Sequence, residues 1–243
     1  MNKLRTKSNI PILEIFGPTI QGEGMMIGRK TMFMRTAGCD YSCSWCDSAF
    51  TWDGTEKPIM YSPDKAFEEI YKIGGGGFDH VTITGGNPAL IGQGMSELID
   101  ILHSKGISMG IETQGTKYQD WFSKSDDIVI SPKPPSSGMV TDYTKLDFII
   151  NNIQSNKQNK SLKVVIFNEE DYQYAKNLHF RYPNIEFYLS VGNLTPYSEE
   201  DHTAELLRDL EKLCNKVIND PSLKSVKVLP QLHTLLWGNK RKV

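Results

Sequence analysis

A chain of 243 residues with a formal charge of −2 and a sequence pI near 6.2 offers no global positive field for nucleic acid or an anionic membrane, so a small-molecule partner is expected. The length fits about one to two domains at ~150 residues each, and α/β barrels commonly reach ~250 residues as one; no linker composition asks for a division, and residues 1–243 are read as a single domain. The start, Met1 to Asn9, is basic without the apolar run of a secretory signal, and no later stretch is long enough to span a bilayer, which points to a reducing, cytoplasmic setting.

In chain order, β-rich apolar runs alternate with amphipathic ones. Strands are predicted at Thr31 to Arg35, His80 to Thr84, Ile107 to Glu112, Asp127 to Ile130, Leu162 to Phe167 and Glu186 to Val191, with Val226 to Leu229 as a seventh. Helices are predicted at Pro63 to Ile73 behind the cap Ser62, and at Met95 to Lys105, Gln119 to Lys124, Thr144 to Ile153, Glu170 to Tyr182 and Glu199 to Lys216. The polar stretch 151–160 reads as a surface loop. This alternation implies right-handed βαβ units and a parallel sheet, either an open doubly wound sheet or a full or incomplete (β/α) barrel.

Three of the four cysteines, Cys39, Cys43 and Cys46, fall in a C-x₃-C-x₂-C run. Thiolates at that spacing suit an iron–sulfur cluster, and three of them leave one iron of four open to a small molecule, whereas electron-transfer clusters close all four positions. Zinc and redox cysteines are the other readings, since thiolates suit both. Structural zinc usually shows two ligand pairs, and Cys214 lies far away on a helix whose apolar face is traced by Leu206, Leu207, Leu210 and Leu213; it reads as buried filler.

In parallel α/β architectures the chemistry sits beyond the C-terminal strand ends. There the chain places the cysteine loop, Gly85-Gly86-Asn87-Pro88, Glu112-Thr113-Gln114-Gly115 and Ser131-Pro132-Lys133. A Gly-Gly turn alone is weak, but its recurrence with polar strand ends points to one shared pocket.

Those motifs carry a resemblance. The three-cysteine loop with Trp45 and the following Gly-Gly-x-Pro resembles the radical S-adenosylmethionine superfamily. Gln21-Gly-Glu-Gly24, Arg35, Trp45-Cys46-Asp47-Ser48, Thr84-Gly85-Gly86, Glu112-Thr113 and Ser131-Pro132-Lys133 together resemble, within it, the 7-carboxy-7-deazaguanine synthase family. The resemblance spans nearly the whole chain and implies a modified, incomplete (β/α) barrel. It also implies a carbon–nitrogen lyase of queuosine and 7-deazapurine biosynthesis, which contracts 6-carboxy-5,6,7,8-tetrahydropterin to 7-carboxy-7-deazaguanine with loss of ammonia. Another radical enzyme, such as a glycyl-radical activase, shares the cysteine loop; a zinc-binding module would have no use for the strand-end motifs.

By position, the resemblance implies Cys39, Cys43 and Cys46 as ligands of a [4Fe-4S] cluster, and Trp45, Cys46, Asp47, Gly86, Glu112, Ser131, Pro132 and Lys133 around S-adenosylmethionine. Ile20, Gln21, Gly22, Arg35 and Thr84 would bind the pterin, Arg35 by two parallel bonds to its carboxylate. Ser48 would offer its hydroxyl to Mg²⁺, a hard ion that prefers oxygen; it replaces the family's threonine. No protein acid or base is assigned, and Glu23 could assist. The resemblance further implies a homodimer and an electron donor such as flavodoxin or ferredoxin. Many relatives carry glutamate where this chain has Asn87, which keeps an amide oxygen without the charge that would meet the cofactor ammonium. Gln231-Leu-His233 resembles a tail that caps the site, although the chain runs on to Val243. The other histidines default to structural or exposed roles.

Overall fold

The computed structural model describes residues 8–153 and 159–243. Among the described residues nine strands form one sheet: β1 (Ile10–Ile20), β2 (Lys30–Thr36), β3 (Ile59–Tyr61), β4 (His80–Gly85), β5 (Ser108–Thr113), β6 (Asp127–Ile130), β7 (Asn159–Ile166), β8 (Glu186–Val191) and β9 (Val226–Leu229). The helices are α1 (Pro63–Gly74), α2 (Gln93–Ser104), α3 (Tyr143–Asn152), α4 (Glu169–Arg181), α5 (Thr203–Ile218) and α6 (Leu232–Trp237). The strand order is β3-β1-β2-β4-β5-β6-β7-β8-β9. From β2 to β9 all pairings are parallel, and the sheet is unclosed, with β3 and β9 as its edges.

The order decides between the two architectures left open by periodicity. A doubly wound sheet reverses direction at a switch point, whereas β4 to β9 follow one another in sequence. With right-handed crossovers this puts the helices on one face and leaves the other free. The result is an incomplete (β/α) barrel. Local chemistry fixes the helices: Ser62 accepts from Lys65 N at 3.4 Å with Pro63 opening the first turn, and Gly75 ends α1 in the left-handed region at φ 59°. Asp142 caps α3 and Asn168 caps α4. Ala66 and Ile70 of α1 and Met95, Leu98, Ile99 and Leu102 of α2 are fully buried in one core with Ile10, Met32, Val81, Ile83, Met109 and Ile111.

Several boundaries differ from the sequence reading. The strand pattern begins at Thr31, yet β1 and β3 precede α1 and pair antiparallel with their neighbours. Pro11, Gly17 and Pro18 mask the alternation of Ile10, Ile12, Glu14 and Phe16, all of which are buried; prolines are tolerated because β1 is irregular, with register shifts on the β2 side. The helix expected at 119–124 is a 3₁₀ turn, Asp120–Lys124. The last long helix starts at Thr203 rather than Glu199, and of its expected apolar face Leu213 is buried whereas Leu207 is 48% exposed. Cys214 is half-buried on that helix, not buried. Of the expected loop 151–160, residues 154–158 lie outside the described residues, and its flanks are the end of α3 and the start of β7. Met1 to Lys7 of the basic start also lie outside them. Among the described residues no helix is long and apolar enough to cross a membrane.

Between β1 and β2 the chain turns across the inner face of the sheet. A Cβ on Gly24 would lie 3.5 Å from Val129 of β6 and 3.8 Å from the Lys163 stem of β7, and one on Gly110 of β5 would lie 2.2 Å from Met26 Sδ. Residues 21–26 therefore close the hollow from below, where a complete barrel would use layers of side chains from its own strands.

Candidate active site

Above that floor is a cavity of ≈ 270 Å³. Every expected site residue lines it except Pro132, which is buried behind its neighbours. At one end are the three thiols. The cysteine loop is sewn to the loop after β6: Ser44 N donates to Ser137 O at 3.0 Å, Ser44 Oγ to Ser136 O at 2.8 Å, and Trp45 Nε1 to Ser136 Oγ at 3.0 Å. That second loop is itself fixed by Asp171, fully buried in α4, which accepts from Ser136 N and Phe167 N at 3.0 Å each. Trp45 also packs against Phe167, ring centroids 4.7 Å apart.

Two of the three thiols receive N–H donors. Gln114 Nε2 and Tyr41 N reach Cys39 Sγ at 3.4 and 3.5 Å, and Trp52 Nε1 reaches Cys46 Sγ at 3.5 Å. Such donors stabilise anionic sulfur, the form a cluster binds, and tune its potential. Without metal, burial pushes the Cys43 thiol up to about 11 and that of Cys39 above its ordinary value, so loading must displace protons. Among the described residues no three Cys, His, Asp or Glu side chains gather around a single-ion point. Three thiols on one loop at one end of the cavity, two of them with N–H donors, are a donor set that suits an iron–sulfur cluster.

The Gly-Gly turn lines the cavity and also packs tightly inside the protein. A Cβ on Gly86 would sit 2.0 Å from Gly38 O, and one on Gly85, at φ 128°, 2.3 Å from Thr36 O. The glycines let β4's end pack under the cysteine loop, locked by Asn87 N donating to Gly38 O at 2.7 Å. Asn87 is fully buried and does not line the cavity. Its amide donates to Asp40 Oδ1 and Thr116 Oγ1, and its oxygen accepts from Thr113 Oγ1 and Ala89 N. A carboxylate there would face Asp40, so the amide suits this loop as a structural hub.

At the other end the cavity floor is polar. Glu112 Oε1 accepts from Gln21 Nε2 and Oε2 from Thr84 Oγ1, each at 3.0 Å. Thus two residues expected on the substrate and one expected on the cofactor share one network. Beside it Glu23 accepts from Lys163 Nζ and from Gln231 Nε2. Lys163 is 6% exposed in the middle of β7 and was not foreseen, although a lone cation inside an apolar strand run is its own signal. Burial pushes the Glu112 carboxyl above its ordinary range. The same burial opposes ionisation of Glu23, but Lys163, His233 and the two donated bonds outweigh it and hold it down at about 2. Burial likewise works against the Lys163 ammonium, and Glu23 and Glu112 overcome it, raising Lys163. Two neighbouring carboxyl groups are thereby pushed apart.

The 231–243 segment forms one wall. Leu232 N donates to Gly22 O at 2.9 Å, and a Cβ on Gly22 would lie 2.6 Å from His233 Nδ1. Arg35 donates through Nε to Glu14 Oε2 at 3.1 Å. Ser48 is buried, its Oγ 3.8 Å from Cys46 Sγ, and Lys133 Nζ reaches Ser131 Oγ at 3.4 Å.

Comparison with known proteins agrees with this geometry. Residues 33–129 match the radical SAM superfamily. The chain is 58% identical over 240 residues to a 7-carboxy-7-deazaguanine synthase of Bacillus subtilis, covering 96% of this chain and 98% of the relative. It is 52% identical to a protein of the same name in Bacillus cereus, covering 97% and 100%. In fold it is similar to QueE from Escherichia coli, with a TM-score of 0.64 and 23% identity over 93% of this chain and 95% of that one. On these matches across nearly its full length, the chain belongs to the 7-carboxy-7-deazaguanine synthase family of radical S-adenosylmethionine enzymes.

Proposed function

We infer that this chain catalyses the radical ring contraction of 6-carboxy-5,6,7,8-tetrahydropterin to 7-carboxy-7-deazaguanine with release of ammonia. The observation that carries the reading is that one cavity joins a three-thiol rim to a floor of Arg35, Gln21, Glu23 and Glu112, complementary to a carboxylated heterocycle with mixed donors and acceptors. A [4Fe-4S] cluster with S-adenosylmethionine, when bound, supplies the radical that starts the rearrangement.

The chain's own residues bind, orient and shield. Cys39, Cys43 and Cys46 would hold the cluster. Trp45, Asp47, Gly86, Ser131 and Lys133 would flank the cofactor, with Pro132 backing them from behind the cavity wall and Glu112 between cofactor and substrate. Ile20, Gln21, Gly22 and Thr84 would read the pterin, and Arg35 would align its carboxylate. An amine leaves as ammonia only on gaining a proton. Glu112, raised by burial beside an ionised Glu23, is the group on the floor suited to hold one. Ser48 would contribute one oxygen to a Mg²⁺ that keeps water and takes the substrate carboxylate.

Residues 1–243 are read as one catalytic domain capped by the 231–243 segment. A homodimer, an electron donor of the flavodoxin or ferredoxin type and a reducing cytoplasm complete the proposal; the last is supported by thiols that must stay reduced to bind a cluster. The test is anaerobic reconstitution with iron and sulfide, followed by incubation with 6-carboxytetrahydropterin, S-adenosylmethionine and Mg²⁺ and mass analysis. Conversion to a product lighter by one ammonia is expected. Cofactor cleavage without pterin consumption would instead favour another radical enzyme such as a glycyl-radical activase, and stoichiometric zinc without iron would favour a zinc module.

A further inference from the structure

We propose that Arg241 is a positioning residue that gives the pocket its preference for a carboxylated substrate, by keeping Glu14 from claiming the whole of Arg35. The proposal deepens the function inferred above and rests on it. Glu14 lies in β1 directly opposite Arg35 of β2 in the strand register, and it is 4% exposed. A buried carboxylate facing an arginine frequently takes two of its nitrogens in a fork. Here it takes one. Arg35 Nε meets Glu14 Oε2, while Glu14 Oε1 accepts from Arg241 Nε at 3.1 Å and from Arg241 Nη2. Among the described residues no hydrogen bond engages the Nη atoms of Arg35, and Arg35 lines the cavity.

Arg241 is held in that place from three sides. Besides Glu14, its Nη1 donates to Glu56 Oε1 at 2.8 Å, and its guanidinium lies 3.7 Å above the Phe50 ring, which Arg35 also approaches, at 5.8 Å. Lys242 Nζ stands 3.9 Å from Glu14. The local charge count follows: Arg35, Arg241 and Lys242 face Glu14 and Glu56, an excess of one positive charge beside the cavity. Without Arg241 the excess vanishes, and Glu14 Oε1 is free to close the fork on Arg35. Both changes take attraction away from an incoming carboxylate and leave the rest of a heterocycle's contacts alone.

The experiment compares two ligands, 6-carboxypterin and pterin, by calorimetric titration of reconstituted enzyme at matched iron loading. Arg241→Ala is expected to weaken 6-carboxypterin about tenfold, one decade in Kd, with pterin changed less than about twofold. Arg241→Lys, which keeps the charge, should recover most of the loss. The sharper arm is Arg241→Ala combined with Glu14→Gln: with no carboxylate left to claim Arg35, 6-carboxypterin binding should return, a rescue that a merely structural role would not give. Equal weakening of both ligands would make the segment a simple lid and overturn the proposal, as would unchanged binding or a double variant no better than Arg241→Ala. If wild type takes neither ligand, the function inferred above falls, and this proposal with it; that pattern is distinct because it appears before any substitution.

Discussion

Replacing Lys163 by Met removes the cation that pairs with Glu23 and stands beside Glu112. The side chains of Lys163 and Glu23 are 7% and 15% exposed, so the pair is shielded, and deleting one partner strands the other charge. Breaking such a pair costs about 3–5 kcal/mol, or about 6–20 °C in Tm at roughly 2–4 °C per kcal/mol for a chain of this size. The sign with pH follows from linkage. Glu23 is held below its ordinary 4.5, at about 2, so its contribution is present above pH 4.5 and lost as pH falls through 2. Lys163 is raised above 10.5, so its contribution is present below pH 10.5 and lost as pH rises through the raised value. The gap between wild type and Lys163→Met should therefore be widest between about pH 5 and pH 10 and should close toward pH 2. Thermal denaturation followed by circular dichroism across that range is the assay. A double variant, Lys163→Met with Glu23→Gln, should recover more than half of the loss because no buried charge is orphaned. A gap that does not vary with pH, or one below about 1 kcal/mol near neutrality, would refute the buried-pair reasoning.

Cys43→Ala should sharply lower iron and sulfide per chain while circular dichroism keeps the α/β signature, whereas Cys214→Ala, half-buried on α5, should load like wild type; equal iron loss in both would overturn the contrast. Ser48→Ala should weaken magnesium stimulation of turnover more than cluster assembly, and superimposable magnesium titrations would remove that hydroxyl from the ion. Arg35→Lys should lower kcat/KM for 6-carboxytetrahydropterin by about tenfold or more, the loss of one charge-assisted bond worth roughly 1.5–3 kcal/mol. A single ammonium cannot hold Glu14 and a carboxylate in fixed geometry, so equal efficiencies at matched iron loading would release Arg35 from the substrate.

The parallel half of the fold was legible because its strands obey simple patterns. His80 to Thr84, Asp127 to Ile130 and Glu186 to Val191 are short apolar runs between amphipathic helices, and all three lie within the observed strands. The antiparallel start was not, because prolines and a glycine break up β1. The cavity's rim was legible through motif residues that stand next to each other in the chain. The charged partners behind the polar floor were less so: Lys163 of β7 reaches Glu23, and Arg241 of the 231–243 segment reaches Glu14, pairs made between positions far apart in the sequence. At Asn87 the sequence showed only that the charge of the family's glutamate is missing, and its four hydrogen bonds show a side chain spent inside the protein.

The loop that closes the hollow from below also carries Gln21 and Glu23, which line the cavity, so the depth of the cavity and the polar groups at its base belong to one mechanical unit. Met26 of that loop packs against Gly110 on β5. A methyl group added at Gly110 would meet the Met26 thioether, which must then shift aside within the loop that carries Gln21 and Glu23. The shape of the cavity's base is thereby tied to a buried wedge that itself lies outside the cavity lining.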